Sequence, residues 1–287
     1  FTTATDTYNT AVGFEAGANI TTGFWNTLIG ALAGDALTNA NYNVAVGQAA
    51  LGADTLGSKS TAVGWGSLNA QNFTTATDSF ATAVGYNAGL SVTTGYQNTL
   101  IGALSGDALT VGIENVALGV SSLGAAVADA RTTAIGYSAL ASQTNSTATN
   151  TYNVAVGYSA GTLITTGIEN TIIGALAGDA LTDADYNVAL GRSALTSDTK
   201  GSKTVAIGYG VLQNQNFTTS TDSFNTAVGY NAGAAVTTGT QNSLVGYNAG
   251  GALTDADFNI VIGTNALSTD TLGSKSIAIG TQALNVQ

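Results

Sequence analysis

Along the whole chain a pair of apolar residues ends at a glycine, and that glycine returns at a near-constant interval. The anchors are Gly13, Gly30, Gly47, Gly64, Gly85, Gly102, Gly119, Gly136, Gly157, Gly174, Gly191, Gly208, Gly229, Gly246, Gly263 and Gly280. Their spacings run 17, 17, 17 and 21 and then recur, so four coils make a 72-residue super-repeat. The residue before each anchor is Val, Ile or Leu, and the one before that is Ala, Leu, Ile or Val. Neighbouring strand residues point to opposite faces, so both faces of the predicted strand are apolar. One face fills the coil; the other calls for a second chain or another layer, and the pattern therefore predicts an oligomer.

The rest of each coil is small and turn-forming. An aliphatic residue before Thr, as in Ile20–Thr21, Leu37–Thr38, Val92–Thr93 and Leu109–Thr110, predicts a second, weaker strand, closed by turns such as Thr22-Gly23 and Thr166-Gly167. Four residues past the anchor, Gly17 and Gly34 alternate with Leu51 and Leu68. Period-two patterning with Gly and Thr throughout disfavours helix. The chain reads as all-β: one parallel β-solenoid of sixteen 17- or 21-residue coils, in super-repeats 1–68, 69–140, 141–212 and 213–287. Asn opens the anchor signature in 11 of 16 coils, including Asn9, Asn26, Asn43, Asn98 and Asn115, and stacking in register predicts an amide ladder. At strand spacing the stack is roughly 75 Å long. The long coils predict equivalent projecting loops at Gln71–Ser79, Gln143–Thr151 and Gln215–Ser223.

Composition narrows the chemistry. The 287 residues include no His, Cys, Met or Pro, which removes imidazole bases, thiol nucleophiles, disulfides and the usual zinc ligands. Six basic residues against 17 acidic ones, a formal charge of −11, disfavour nucleic acid and anionic membranes as partners. No apolar run is long enough to insert in a membrane, and no signal-peptide pattern is present. Phe1–Asp6 repeats Phe73–Asp78, and Leu284–Gln287 repeats Leu68–Gln71, so the chain reads as a segment of a longer array.

Two stretches, Asn9-Thr10-Ala11-Val12-Gly13-Phe14-Glu15-Ala16-Gly17 and Asn153-Val154-Ala155-Val156-Gly157-Tyr158-Ser159-Ala160-Gly161, together with linkers such as Thr165-Thr166-Gly167, carry a resemblance. They are similar to the head repeats of YadA-type trimeric adhesins and to repeats in bacteriophage tail fibres. That resemblance implies a left-handed β-roll, a homotrimeric fibre, an extracellular place on a virion or bacterial surface, and a role in host attachment. The coil here is longer than the adhesin-head coil, and a regular 21-residue coil is added.

Candidate sites follow from the deviations within the repeat. Aromatic residues after the anchor form a column, with Trp65 predicted to stack near Tyr86, Tyr137 near Tyr158, and Tyr209 near Tyr230. These six are the candidate receptor or glycan contacts. Asp183-Ala-Asp185 and Asp255-Ala-Asp257 have a spacing that could hold Ca²⁺ or simply line a solvated turn. Lys59, Arg131, Lys203 and Lys275 lie 72 apart; they read either as local ion pairs with Asp54, Asp198 and Asp270, five residues before three of them, or as a column of cations that meets an acidic receptor glycan. The functional expectation is a non-enzymatic structural fibre acting by rigid multivalent display, with no cofactor. The alternatives are an ice- or crystal-surface-binding solenoid, suggested by Thr21-Thr22 and Thr93-Thr94, and the non-catalytic part of a polysaccharide-cleaving tailspike.

Overall fold

A computed structural model describes residues 6–285, so the sequence recurrences at 1–5 and 286–287 lie outside the described residues. The described residues contain strands and turns and no helix. They form two compact units: residues up to Ser138 with Thr144–Asn150, and Ala139–Gln143 with the residues from Thr151 onward. The fold is a parallel β-solenoid, as the period predicts.

In the first unit eight three-residue strands pair in chain order: Thr10–Val12, Thr27–Ile29, Val44–Val46, Thr61–Val63, Thr82–Val84, Thr99–Ile101, Val116–Leu118 and Thr133–Ile135. The second unit repeats this from Val154–Val156 to Ile277–Ile279. Thr61 pairs with Thr82 across a long coil just as Val44 pairs with Thr61 across a short one, so the four extra residues leave the register intact.

Each three-residue strand after the first, Thr10–Val12, buries its middle residue. Leu28, Ala45, Ala62, Ala83, Leu100 and Ala117 are all sealed in the coil interior. Volume is shared between this position and the one four residues after the anchor. Leu28, Leu100, Ile172 and Leu244 face Gly34, Gly106, Gly178 and Gly250, whereas Ala45, Ala117 and Ala189 accompany Leu51, Leu123 and Leu195. A Cβ on Gly34 would lie 2.8 Å from both Leu28 and Leu37. In these coils the Gly/Leu choice is large-for-small compensation, whereas in the first coil of the second super-repeat Ala83 and Gly89 are both small and Leu100 of the next coil lies against Gly89.

The second strand is a correction. Ile20–Thr21, Leu37–Thr38, Val92–Thr93 and Leu109–Thr110 are not strand; among the described residues two-residue pieces pair only at Gly57–Ser58 with Thr77–Asp78, Asp129–Ala130 with Thr149–Asn150, and Gly201–Ser202 with Thr221–Asp222. Backbone bonding explains it. Thr21 N–H does reach Thr38 O in the next coil (3.0 Å), but Ile20 N–H turns back to Gly17 O (3.1 Å) and Gly23 N–H shares Thr38 O (3.1 Å). Too few groups remain for a ladder.

The Asn ladder forms, mainly between side chain and backbone. Asn26 Oδ1 accepts the Asn43 N–H (3.0 Å), while its Nδ2 donates to Ala40 O (2.9 Å) and Asn9 Oδ1 (3.1 Å). Asn43, Asn98, Asn115, Asn153, Asn170, Asn187 and Asn225 repeat the bond to a carbonyl in the next coil.

The long coils correct the loop expectation in part. Residues 74–78 are mostly exposed, but Gln71, Phe73 and Ser79 are buried, as are Gln143 and Thr151, and Gln215, Phe217 and Ser223. Beneath the tip lies a polar chain. Asp54 accepts the Gly57 and Phe73 N–H groups (both 3.1 Å) and Gln71 Nε2 (2.7 Å); Gln71 Nε2 also reaches Ser60 Oγ (2.9 Å), which meets Ser79 Oγ. Asp198 has the same relation to Gly201, Phe217 and Gln215.

Besides Thr204 in place of Ser60, these two clusters differ at the ladder position. Asn225 Nδ2 donates to Gln215 Oε1 (2.9 Å), and Asn153 Nδ2 to Gln143 Oε1 (2.8 Å). Residue 81 at the matching place is Ala, and Gln71 Oε1 is buried with no hydrogen-bond partner. An unsatisfied buried carbonyl costs about 1–3 kcal/mol. Ala81→Asn is therefore expected to stabilise the first unit by about that amount, seen as a raised denaturation midpoint; an unchanged or lowered midpoint contradicts the ladder account.

Burial pushes the Asp54 carboxyl above the ordinary carboxylate pKa, with its bonds to Gln71, Phe73 and Gly57 acting the other way. A raised folded-state pKa means that the folded chain holds this proton more tightly than the unfolded one. Stability from this group is then greatest below the unfolded value of about 4 and falls as pH rises through the raised folded value. Asp54→Asn should flatten that part of the stability–pH curve, measured by urea unfolding between acid and neutral pH; an unchanged slope contradicts the assignment.

Candidate functional site

Exposed residues alternate along each strand, so the outer face carries rows that run from coil to coil. The row before the anchor is aliphatic throughout: Val12, Ile29, Val84 and Leu118 in the first unit and Leu190, Val245, Ile262 and Ile279 in the second are all exposed. The residue two places earlier is Thr or Val in most coils and is half-buried or exposed. Eight tiers at strand spacing give an apolar strip roughly 33 Å long in each unit.

Aromatic residues after the anchor flank this strip. Trp65 and Tyr86 stack at 5.2 Å and 13°, and Tyr209 and Tyr230 at 5.0 Å and 12°. Both pairs form as the period predicts, and Tyr247 extends the second stack at 5.6 Å and 14°. Tyr137 and Tyr158 fall in different units, and each is exposed. In the parallel stacks each ring covers one face of its neighbour.

A second aromatic column lies five residues before the anchor. Tyr8, Trp25, Tyr42, Phe80, Tyr152, Tyr186, Phe224 and Phe258 stand there, all exposed and all at positive φ between 47° and 60°. The sequence signal was an aromatic residue directly before the ladder position, in Tyr8-Asn9, Trp25-Asn26 and Tyr42-Asn43, which reading the anchor alone passes over.

The cationic positions share this column but not the expected partners. Lys59 pairs with Asp78 (2.6 Å), Lys203 with Asp222 (2.5 Å) and Arg131 with Glu114 (2.9 Å). Asp54 and Asp198 are buried and spent on backbone N–H groups, so a spacing of five brings no pair together. Lys59 lies 5.0 Å from the Phe80 centroid and Lys203 5.4 Å from Phe224. Exposed pairs of this kind contribute at most about 1 kcal/mol.

The D-x-D carboxylates point to separate partners. Asp183 faces Lys200 (3.5 Å), while Asp185 accepts the Ile168 N–H (2.8 Å). Asp257 accepts the Thr240 N–H (2.7 Å) and hydroxyl (3.0 Å), and Asp255 accepts the Thr254 hydroxyl (3.4 Å). Among the described residues no group of three or more His, Cys, Asp or Glu side chains gathers to hold a metal ion. Three of these threonines are likewise engaged: Thr21 and Thr22 both donate to Asn39 Oδ1 (2.8 Å), and Thr93 to Thr110 O (3.1 Å). No helix among the described residues is long and apolar enough to cross a membrane, and the described surface has no pocket.

Fold and surface together define the class: a parallel β-solenoid repeat protein with an apolar strip between two aromatic columns. No protein-family model, curated protein or solved structure matches the chain.

Proposed function

We propose that this solenoid is a segment of an extracellular attachment fibre in which three copies of the chain associate through their outer apolar strips. One observation carries the reading. The residue before the anchor is aliphatic in all sixteen coils, although it faces outward and the coil interior does not use it. An exposed apolar patch of this length marks an interaction surface. The count of three, the left-handed roll and the location on a virion or bacterial surface rest on the resemblance to trimeric adhesin and tail-fibre repeats. Rigid coils then display the aromatic columns and loop tips at regular intervals, where weak contacts add through effective concentration.

Charge placed on the strip tests this. Leu118 and Leu190 are 42% and 41% exposed, so aspartate at either fits the isolated coil. Leu118→Asp with Leu190→Asp should abolish association while the circular dichroism stays that of the parent. Ala76→Asp, on an exposed loop tip, should leave association unchanged. Association that survives the double substitution contradicts the reading.

A further inference from the structure

The first super-repeat departs from the other three on the surface of its second coil. In the second coil, five residues before the anchor, the later super-repeats hold Gln97, Glu169 and Gln241; the first holds Trp25. Before it stands Phe24, where the others have Tyr96, Ile168 and Thr240. Packing does not demand this tryptophan. Trp25 is 49% exposed, and its backbone (φ 55°) matches that of Gln97 (57°), Glu169 (55°) and Gln241 (57°).

Four rings meet there. Trp25 lies 6.1 Å from Tyr8, 5.4 Å from Phe24 and 5.0 Å from Tyr42, and Phe24 lies 5.4 Å from Tyr42. Their planes are inclined by 35°, 75°, 52° and 75°. This differs from the parallel stacks of the other column: inclined rings leave parts of their faces uncovered by one another. Polar groups border them. Tyr8 OH donates to Asp6 (3.2 Å), and the Asn41 side-chain amide meets the cluster's backbone, its Oδ1 accepting the Phe24 N–H (3.0 Å).

No lysine or arginine belongs to the cluster, and the chain carries a net charge of −11, so polyanionic ligands are repelled. Open aromatic faces edged by an amide and a carboxylate suit the C–H faces and hydroxyl rims of uncharged sugar rings. We infer that the Tyr8–Phe24–Trp25–Tyr42 cluster binds a neutral polysaccharide. This deepens the attachment reading, on which it rests, by naming a ligand class and a place that the post-anchor column does not supply.

The test is affinity electrophoresis of the whole chain in native gels cast with hydroxyethyl cellulose or with galactomannan, two soluble neutral polymers. At least one should retard the chain. Trp25→Gln, which installs the residue of the second and fourth super-repeats, should weaken that retardation fivefold or more, and Gln241→Ala should not. With Trp65→Phe leaving Trp25 as the one tryptophan of the two, its emission should shift to shorter wavelength on adding the polymer. Retardation by neither polymer, or equal retardation of Trp25→Gln, overturns the inference. Sedimentation of the same samples separates the two claims. An assembled particle that ignores both polymers overturns this inference alone, and a monomer that binds them overturns the fibre reading alone.

Discussion

Gly102→Ala should be among the most damaging single substitutions in the chain, destabilising the first unit by about 3–5 kcal/mol. Gly102 has φ near 132°, and a Cβ there would lie 2.5 Å from Gly119 O and 2.6 Å from Gly119 C. The obstruction is backbone of the next coil, not the end of a flexible side chain, so no rotamer change relieves it. Displacing Gly119 in turn displaces the coil beyond it, since the glycines stack as one column. Contacts in a solenoid are local, so the loss should appear as early exchange of amides in coils next to residue 102, ahead of global unfolding. Hydrogen exchange reads this directly. An alanine variant with parent-like protection at Val84 and Leu118 contradicts it. Gly280, whose added Cβ would meet nothing within 4 Å, is the matching control and should tolerate alanine far better.

Asn170→Ala is expected to be nearly as costly, by about 2–4 kcal/mol. The Asn170 amide donates to Ala184 O (2.8 Å), and its Oδ1 accepts the Asn187 N–H (3.0 Å), all in a buried setting. Alanine leaves that carbonyl and that N–H without the partner the ladder gives them, and neither gains water in exchange. The substitution reproduces at residue 170 the gap that the sequence carries at residue 81. A denaturation midpoint lowered by less than the Ala81→Asn substitution raises it would show that the ladder matters less than its geometry suggests.

How much of this was legible depended on whether a feature belongs to the period. The anchors, the parallel register and the Trp65–Tyr86 and Tyr209–Tyr230 stacks follow from spacing, because equal coils bring equal positions together. The missing second strand did not follow, since Ile20 and Gly23 divide their hydrogen bonds between their own coil and the next, and composition does not encode that division. Phe73 read as part of a projecting loop because its neighbours are Asn and Thr; only the structure places it beneath the tip, beside Asp54. The ion pairs were misassigned for a related reason. A spacing of five residues says nothing about which carboxylate reaches across coils, and Asp78, 19 residues from Lys59, does so while Asp54 turns inward. The column at Tyr8, Trp25 and Tyr42 was visible in sequence but hidden behind the Asn that follows each of them.

The central claim is that the aliphatic row on the outside of the coils is an interface between copies of this chain. Sedimentation equilibrium of the whole chain at micromolar concentration measures it most directly. The account predicts a single species of three chains, converted to a folded monomer by Leu118→Asp with Leu190→Asp. A parent chain that sediments as a well-folded monomer across the accessible concentration range would contradict it.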